Sequence, residues 1–573
     1  MIILTAVVTL IGLSVVLAAL AIAWRPARTT SDLLVASREV STLWNASAIG
    51  SEYISAASFL GTAGLVLVYG GDVLWLPIGA AAGYLVLQVF VTAPLRRSGA
   101  YTLDDFAEWR FGSRMVRRMV SVCVCFVGWF YLLPQFQGAG VTLSAVAGLP
   151  VWAGRASVIV IVLAVVLSGG MRSITVLQAV QFWLKLFAVA VPAAILVAVW
   201  RLDGAHDPTR HRLPVFPVTT TVSVQADSTI QVPHGGVPAN VSGIVDRERH
   251  SGGWMFLPAG PHLLAGGTRV TFPAGSLVPH AERLPIQRGD AWADPLGADG
   301  PHPLLRTYSA LIGMLLGTMG LPHVIVRFYT NTCGRAARRT AATVPALLAM
   351  FYLFPALYGA LGRLYTPDLL MTGTPDATML TLPHRLVPGP LGALLTGLVA
   401  AGAFAAFTST SCGIAVAVGG TLSQCVPSVS GVAAFRAGVL VAVAVPLVLV
   451  GSIGPLSAAG LVVLAFAVSA CTLCPLLVLG VWWRRLTPAG ATAGLVVGCV
   501  LAVAAALLRI LGGPGSGWWG ALLIQPAIAI VPVTFVVMVL GSLCSSSQVP
   551  AGIDQVMARL HLPEELTADR SSR

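Results

Sequence analysis

Apolar runs about as long as a bilayer is thick recur along almost the whole chain. In lipid no water satisfies backbone N–H and C=O groups, so each run must close its own hydrogen bonds as a helix or join a closed barrel. Runs of about 20 apolar residues fit helices that cross a core of about 30 Å. Composition agrees. The chain is 56% hydrophobic and only 10% charged, with a mean hydropathy of +0.84, where soluble domains carry about 25% charged residues. The fold class expected is an all-α polytopic membrane protein.

About thirteen spans are expected, with cores near 2–24, 43–69, 73–95, 117–147, 151–168, 174–200, 306–330, 340–363, 390–422, 434–451, 455–480, 489–510 and 518–543. The first run is long enough to span and lacks a charged start, so it is read as a helix rather than a signal peptide. Arginines follow spans one, three, seven and eleven, at Arg25 and Arg28, Arg96 and Arg97, Arg335 and Arg338, and Arg484 and Arg485. Positive loops stay inside, so these links are cytoplasmic, with the N-terminus outside and the C-terminus inside. The expected location is the cell membrane.

This divides the chain into spans one to six (1–201), an external insert (202–305), spans seven to thirteen (306–543) and a cytoplasmic tail (544–573). The insert is rich in Pro and Gly. Pieces such as "TTTVSVQADSTIQV" lean toward strands. It holds seven of the histidines, spaced as in a solvated loop rather than a compact metal motif. The link "YTLDDFAEWRFGS" reads as an interfacial helix with acid and base on its polar side. The net charge of +12 sits in short loops between spans, so it does not indicate nucleic acid. The nine cysteines lie in spans or inner loops and imply no disulfide framework. Cys471 and Cys474 form a CxxC inside an apolar helix, read as small packing residues.

One stretch resists this simple reading. "SAIGSEYISAASFLGTAGL" lies within span two, yet it carries Glu52 and a run of Gly, Ser and Thr from Gly50 to Gly64. Such a run can unwind. Unwound carbonyls then face a cation, and the half-helix that follows points its N–H groups at mid-membrane, where an anion can bind. Close packing through small residues is the alternative, but packing does not call for Glu52. Span nine offers a counterpart in Thr408, Ser409, Thr410 and Ser411. Ser409 and Thr410 can flank one cavity and present hard oxygens to Na⁺, or each hydroxyl can bond back one turn along its own helix. Lys185, the only lysine among 34 basic side chains (Lys and Arg together), lies about 16 Å into span six. Base composition can account for it. A need for one compact buried charge, paired with a carboxylate or standing in for an ion, is the other reading.

The segments "SEYISAASFLGTAGLVLVYGGD", "RRSGAYTLDDF", "FYLLPQFQGAG", "GLPHVIVRFYT" and "AFAVSACTLCPLLVLGVWWRRLTPAGATAG" resemble, in order and spacing, the cation/acetate branch of the solute:sodium symporter family. The resemblance covers most of 30–200 and 305–505 and omits the insert. It implies a leucine-transporter-like core with a five-plus-five inverted repeat, spans two to six against seven to eleven. It implies a sodium site of the carbonyls of Ser51, Ile54 and Ala406 with the hydroxyls of Ser409 and Thr410. It also implies a substrate site near Tyr53, Ser55, Ser58 and Gln135, with Pro322 and His323 close by. The chain departs from the family at Thr175, three residues before Gln178, where many members carry an acid, and at "TLSQCV", where acetate-type members often carry His-Asp.

Outside the resemblance, His323 is either a packing donor or a functional group beside the Gly-Leu-Pro break. Gln135 either caps a Pro-broken turn or meets substrate. Arg327 reads as a side chain that snorkels to the inner face. Glu52 and Lys185 are the coupling candidates. Glu52 is expected to line the inner pathway rather than to touch an anion. The function expected is symport of a small monocarboxylate such as acetate with Na⁺ or H⁺, by alternating access and without a cofactor. A solute sensor that uses the insert against an unknown protein partner is the alternative, as is symport of another small organic solute. No nucleophile–base pair, HExxH or phosphate loop points to an enzyme.

Overall fold

Small and helix-breaking residues decide where the long apolar stretches stop. The structure, a computed structural model, describes residue 36 and residues 40–563, apart from 211–212, 285–287, 297–301, 426–430, 453–457, 512–516 and 525. The expected span 2–24, and with it the side of the N-terminus, lies outside the described residues.

The first half runs through α1 (Thr42–Tyr53), α2 (Thr62–Tyr69), α3 (Trp75–Phe90), α4 (Thr92–Ser98), α5 (Leu103–Phe111), α6 (Arg114–Ala147), α7 (Val151–Ser168) and α8 (Met171–Leu202). The second half continues with α9 (Pro303–Gly320), α10 (Pro322–Tyr329), α11 (Gly334–Tyr365), α12 (Pro390–Cys425), α13 (Gly431–Ser452), α14 (Ala458–Trp482), α15 (Pro488–Ile510) and α16 (Ala527–Cys544), and ends with α17 (Ile553–His561). Among the described residues ten helical stretches are long and apolar enough to cross a membrane, or eleven if the bent pair α9–α10 is one span. The difference from thirteen has two sources. Span one is not described, and spans two and three share a single stretch, Ala57–Phe90. Gly70 interrupts that stretch, with φ 73° and ψ −138°, a conformation that glycine adopts without Cβ strain.

Two breaks sit at matching places, in the first span of each half. After Tyr53 the chain leaves helical geometry at Ile54 (φ −73°, ψ 84°) and resumes as a π-helical turn, Ala57–Gly61. Between α9 and α10, Leu321 is extended and the axes bend by 41°. Pro322 lacks the N–H that would continue α9 and takes the first position of α10 instead. Glycines at 413 and 402 on α12, and Gly50 on α1, bring these elements close. A Cβ on Gly413 would lie 2.3 Å from Glu52 Oε1.

Residues 220–281 form seven antiparallel strands: β1 (Thr220–Ser223), β2 (Ser228–Val232), β3 (Val237–Val245), β4 (Glu248–Leu257), β5 (Gly260–Leu264), β6 (Arg269–Phe272) and β7 (His280–Ala281). The order is β1-β6-β3-β5-β2-β7, with β4 on β3. Alternate residues such as Val222, Val241 and Val270 turn inward, as the period of two requires. Phe216 stacks on Phe272 with centroids 4.9 Å apart. Leu67 and Val68 of α2, with Leu369 and Leu370, belong to the same apolar cluster, so the sheet is seated on the helical body.

The expected interfacial helix is α5, capped by Thr102, whose Oγ1 accepts from Asp105 N at 3.3 Å. It does not lie with a polar face in water. Asp104 and Arg110 are buried. Arg110 donates to the carbonyls of Gly480 (2.8 Å) and Trp483 (3.2 Å), and Asp104 accepts from Thr421 Oγ1 at 2.9 Å. Arg110 serves the end of α14, where helix-end carbonyls are left unpaired, and Asp104 takes a hydroxyl proton near the end of α12.

Candidate functional site

The break after Tyr53 puts main-chain groups in the middle of the protein without helical partners, and side chains from three other helices supply them. Ala56 N donates to Gln135 Oε1 at 2.9 Å, and Gln135 Nε2 donates to Tyr131 O at 3.1 Å. Gln135 thus holds the break open with both ends of its amide engaged by backbone. Thr410 Oγ1 donates to Glu52 O at 2.7 Å.

The remaining carbonyls of the break meet Lys185. Its Nζ donates to Ser51 O at 2.5 Å, Ile54 O at 3.1 Å and Ser409 Oγ at 2.5 Å. Ser409 Oγ in turn has Ser51 O at 3.0 Å and Ala406 O at 3.1 Å as acceptors. Of the five residues expected to hold a cation, Ser51, Ile54 and Ser409 contact the ammonium directly, Ala406 does so through Ser409, and Thr410 faces a different carbonyl. The lysine side chain is fully buried.

A second buried cluster lies beside it. Arg327 on α10 pairs with Glu52, Nε to Oε1 at 2.8 Å, with Nη2 on the same oxygen. Its Nη1 donates to Thr175 Oγ1 at 2.6 Å, and its Nη2 also meets Gln178 Oε1. Gln178 Nε2 bridges Glu52 Oε1 (2.9 Å) and Ser409 O (2.7 Å), so the two clusters are one network. This corrects two expectations. Arg327 does not snorkel: it is 1% exposed, because the break at Leu321 turns α10 into the protein. Glu52 does not line an open inner pathway: it is 0% exposed and neutralises Arg327. Thr175, noticed in the sequence only as a departure from the family pattern, and Gln178, the glutamine three residues after it, are partners of Arg327. In this network one carboxylate stands against two basic side chains, Arg327 and Lys185.

On the far side of the break is a cavity of about 40 Å³, lined by Tyr53, Ala57, Ser58 and Thr62 together with Tyr131, Met314, Tyr352 and Phe466. One water needs about 10–15 Å³ by the same measure, so the space suits a solute of a few heavy atoms. Ser58 Oγ accepts from Tyr352 Oη at 2.7 Å and donates to Tyr53 O at 3.2 Å. Tyr53 Oη is 3.3 Å from Thr318 Oγ1. Ser55 is buried in the break itself. Of the expected substrate residues, Tyr53 and Ser58 therefore line the cavity. Gln135 is behind the backbone. Pro322 starts α10, and His323 sits edge-on to Tyr131 with centroids 5.0 Å apart and its Nε2 without a protein partner. Tyr131, Tyr352 and Phe466 were not singled out from sequence, since aromatic residues in apolar helices carry no mark that separates a cavity wall from a core.

A larger cavity of about 750 Å³ lies between the strand region and the ends of α8 and α11. Its charged lining is balanced, Asp203, Asp207 and Asp368 against Arg210, Arg363 and Arg385. It has no net attraction for an anion.

The model of the sodium:solute symporter family matches residues 33–230 and 286–498, leaving out most of the strand region. An "Uncharacterized symporter YwcA" of Bacillus subtilis (strain 168) is 26% identical over 537 residues, covering 91% of this chain and 90% of that protein. A "Monocarboxylic acid transporter" of Corynebacterium glutamicum is 26% identical over 558 residues, covering 93% and 89%. A solved structure of a Na⁺-coupled sialic acid symporter, substrate-bound and outward-open, aligns over 94% of this chain and 97% of its own, with a TM-score of 0.59 and 13% identity. At that identity the likeness is one of fold.

Proposed function

Since this chain belongs to the sodium:solute symporter family, as a multi-pass membrane protein and a symporter, we propose that its solute is a small monocarboxylate, acetate or a near relative, taken up with Na⁺ or H⁺ across the cell membrane. The observation that carries this reading is the cavity at the break. It is small, and it lies where the π-helical turn and α2 begin. N–H groups and a helix dipole at such a start favour an anion. The adjoining network has one more basic than acidic side chain, and with Lys185 protonated it acts in the same direction through a medium of low dielectric. Hydroxyls of Ser58 and Tyr352 line the cavity and can turn their protons from each other and from Tyr53 O to a carboxylate, while the aromatic wall suits a short alkyl chain. The name of the Corynebacterium relative points the same way.

Alternating access fits the two interrupted spans. Breaks at corresponding positions of two halves mark a binding site at the repeat interface, around which one half rocks against the other. Substrate at the break would touch α1–α2, α6, α9, α11 and α14 at once, and so sense their relative position.

Purified protein in liposomes should accumulate labelled acetate, propionate or pyruvate under an imposed Na⁺ or H⁺ gradient. Ser58→Trp should abolish uptake, since an indole overfills a cavity of about 40 Å³. Normal uptake by Ser58→Trp would place the substrate elsewhere. Binding of an acid with no uptake under any gradient would favour the sensor instead.

A further inference from the structure

We propose that the ammonium of Lys185 is the resident cation of the site formed by Ser51, Ile54 and Ser409, and that this symporter takes no Na⁺ there. The inference rests on the symporter reading, and it concerns which cation the site holds.

Three observations converge. The oxygens around Nζ are two carbonyls freed by the break and one hydroxyl, a hard set suited to a small monovalent cation. The ammonium has three donors and no acceptor, and three oxygens within 3.1 Å receive them. Each partner is buried. The hydroxyl has Ser51 O and Ala406 O as acceptors of its own proton, which leaves its lone pairs to Lys185. A metal ion between these same oxygens would lie on top of Nζ. The lysine also reaches the site from α8, so it ties α1, α8 and α12 together as a bound ion would. Among the described residues no carboxylate is bonded to it. Glu52 is already matched by Arg327, so Lys185 supplies the positive charge that the network keeps.

A tethered cation cannot be released to the cytoplasm. The driving ion of symport is then a proton or an ion bound elsewhere in the protein.

The test reads Na⁺ binding in the absence of substrate, so that it stands apart from which acid is carried. Radiolabelled Na⁺ is titrated against detergent-purified wild type, Ser409→Ala, Lys185→Ala, and Lys185→Ala combined with Ser409→Ala. Wild type should show no saturable binding lost on Ser409→Ala, and Lys185→Ala should gain a site that the added Ser409→Ala removes. Saturable Na⁺ binding by wild type that Ser409→Ala abolishes would overturn the proposal. A folded Lys185→Ala that binds no Na⁺ would overturn it too, by showing that these oxygens are not a cation site. Should Lys185→Ala fail to fold, wild type against Ser409→Ala decides alone, saturable binding lost in the variant refuting the proposal and its absence supporting it.

Discussion

Breaking the pair between Glu52 and Arg327 should be far more damaging than replacing it. Both side chains are almost wholly buried, and removing one partner of such a pair costs about 3–5 kcal/mol, because the other is left charged in a dry site. Glu52→Gln should therefore lower the unfolding midpoint in detergent sharply. Glu52→Gln with Arg327→Met should recover most of the loss. If the double variant were less stable than the single one, the pair would not be what Glu52 is for. Glu52 could be singled out from sequence because a carboxylate within an apolar run is rare and expensive. Arg327 was misplaced because it lies near a span end by count, and counting cannot see that α10 is a short helix turned inward by Leu321 and Pro322. Lys185 and its oxygens were each legible, the lysine as an exception and the oxygens as a ligand set. Their meeting was not, since the partners are 131, 134 and 224 residues from it along the chain.

At the scale of elements, the break in span two was readable from Gly50, Ser51, Ser55 and Ser58, because small polar residues are where a membrane helix unwinds. What fills it was not: Gln135 looked equally suited to a turn or to a substrate, and only the 2.9 Å contact with Ala56 N decides. Helix α5 shows the opposite error. Its alternating charges suggested a polar face, yet Asp104 and Arg110 are turned onto α12 and the end of α14, and Asp105 and Glu108 pair with Arg117 of α6. That burial has a pH signature. Desolvation first, then the charge of Asp105, raise Asp104 from 3.8 to about 6, against the lowering effect of Thr102, Thr421 and Arg117. An acid that holds its proton more tightly when folded stabilises the fold fully below about pH 4. That contribution disappears as pH rises through about 6. Thermal midpoints should thus fall between pH 4 and 7 by an amount worth at most about 3 kcal/mol, and Asp104→Asn should flatten the slope. An unchanged slope in the variant would remove Asp104 as its source.

For the molecule as a whole, two sets of contacts hold the two ends together. At one end Arg96 donates to Thr332 O at 2.7 Å, Arg97 donates to His561 O at 3.1 Å, and Arg484 pairs with Asp554. The links after α4, α10 and α14 and the C-terminal helix therefore share a side. At the other end the strand region packs on Leu67, Val68, Leu369 and Leu370, the segment after it is fastened by Trp292, whose Nε1 donates to Val66 O at 2.8 Å, and the start of α9 is fastened by the pair of Arg306 with Asp72 at 3.5 Å. Sequence assigns these segments to two sides because arginine bias acts on short loops, where charge controls insertion. The number of spans was less legible, because hydropathy reports length in lipid and not where a glycine such as Gly70 turns the chain. Which side faces the cytoplasm follows from the same bias and can be measured directly. With Cys544, exposed near the C-terminal helix, changed to Ser, a cysteine placed at Ser251 on β4 should react in intact cells with a maleimide that cannot cross the membrane. A cysteine placed at Arg335, at the start of α11, should react only after the cells are opened. Both positions are exposed, so a failure to react reflects sidedness rather than burial. Labelling of Arg335→Cys but not Ser251→Cys in intact cells would invert the orientation, and uptake by the proposed symport would then have to enter from the opposite face.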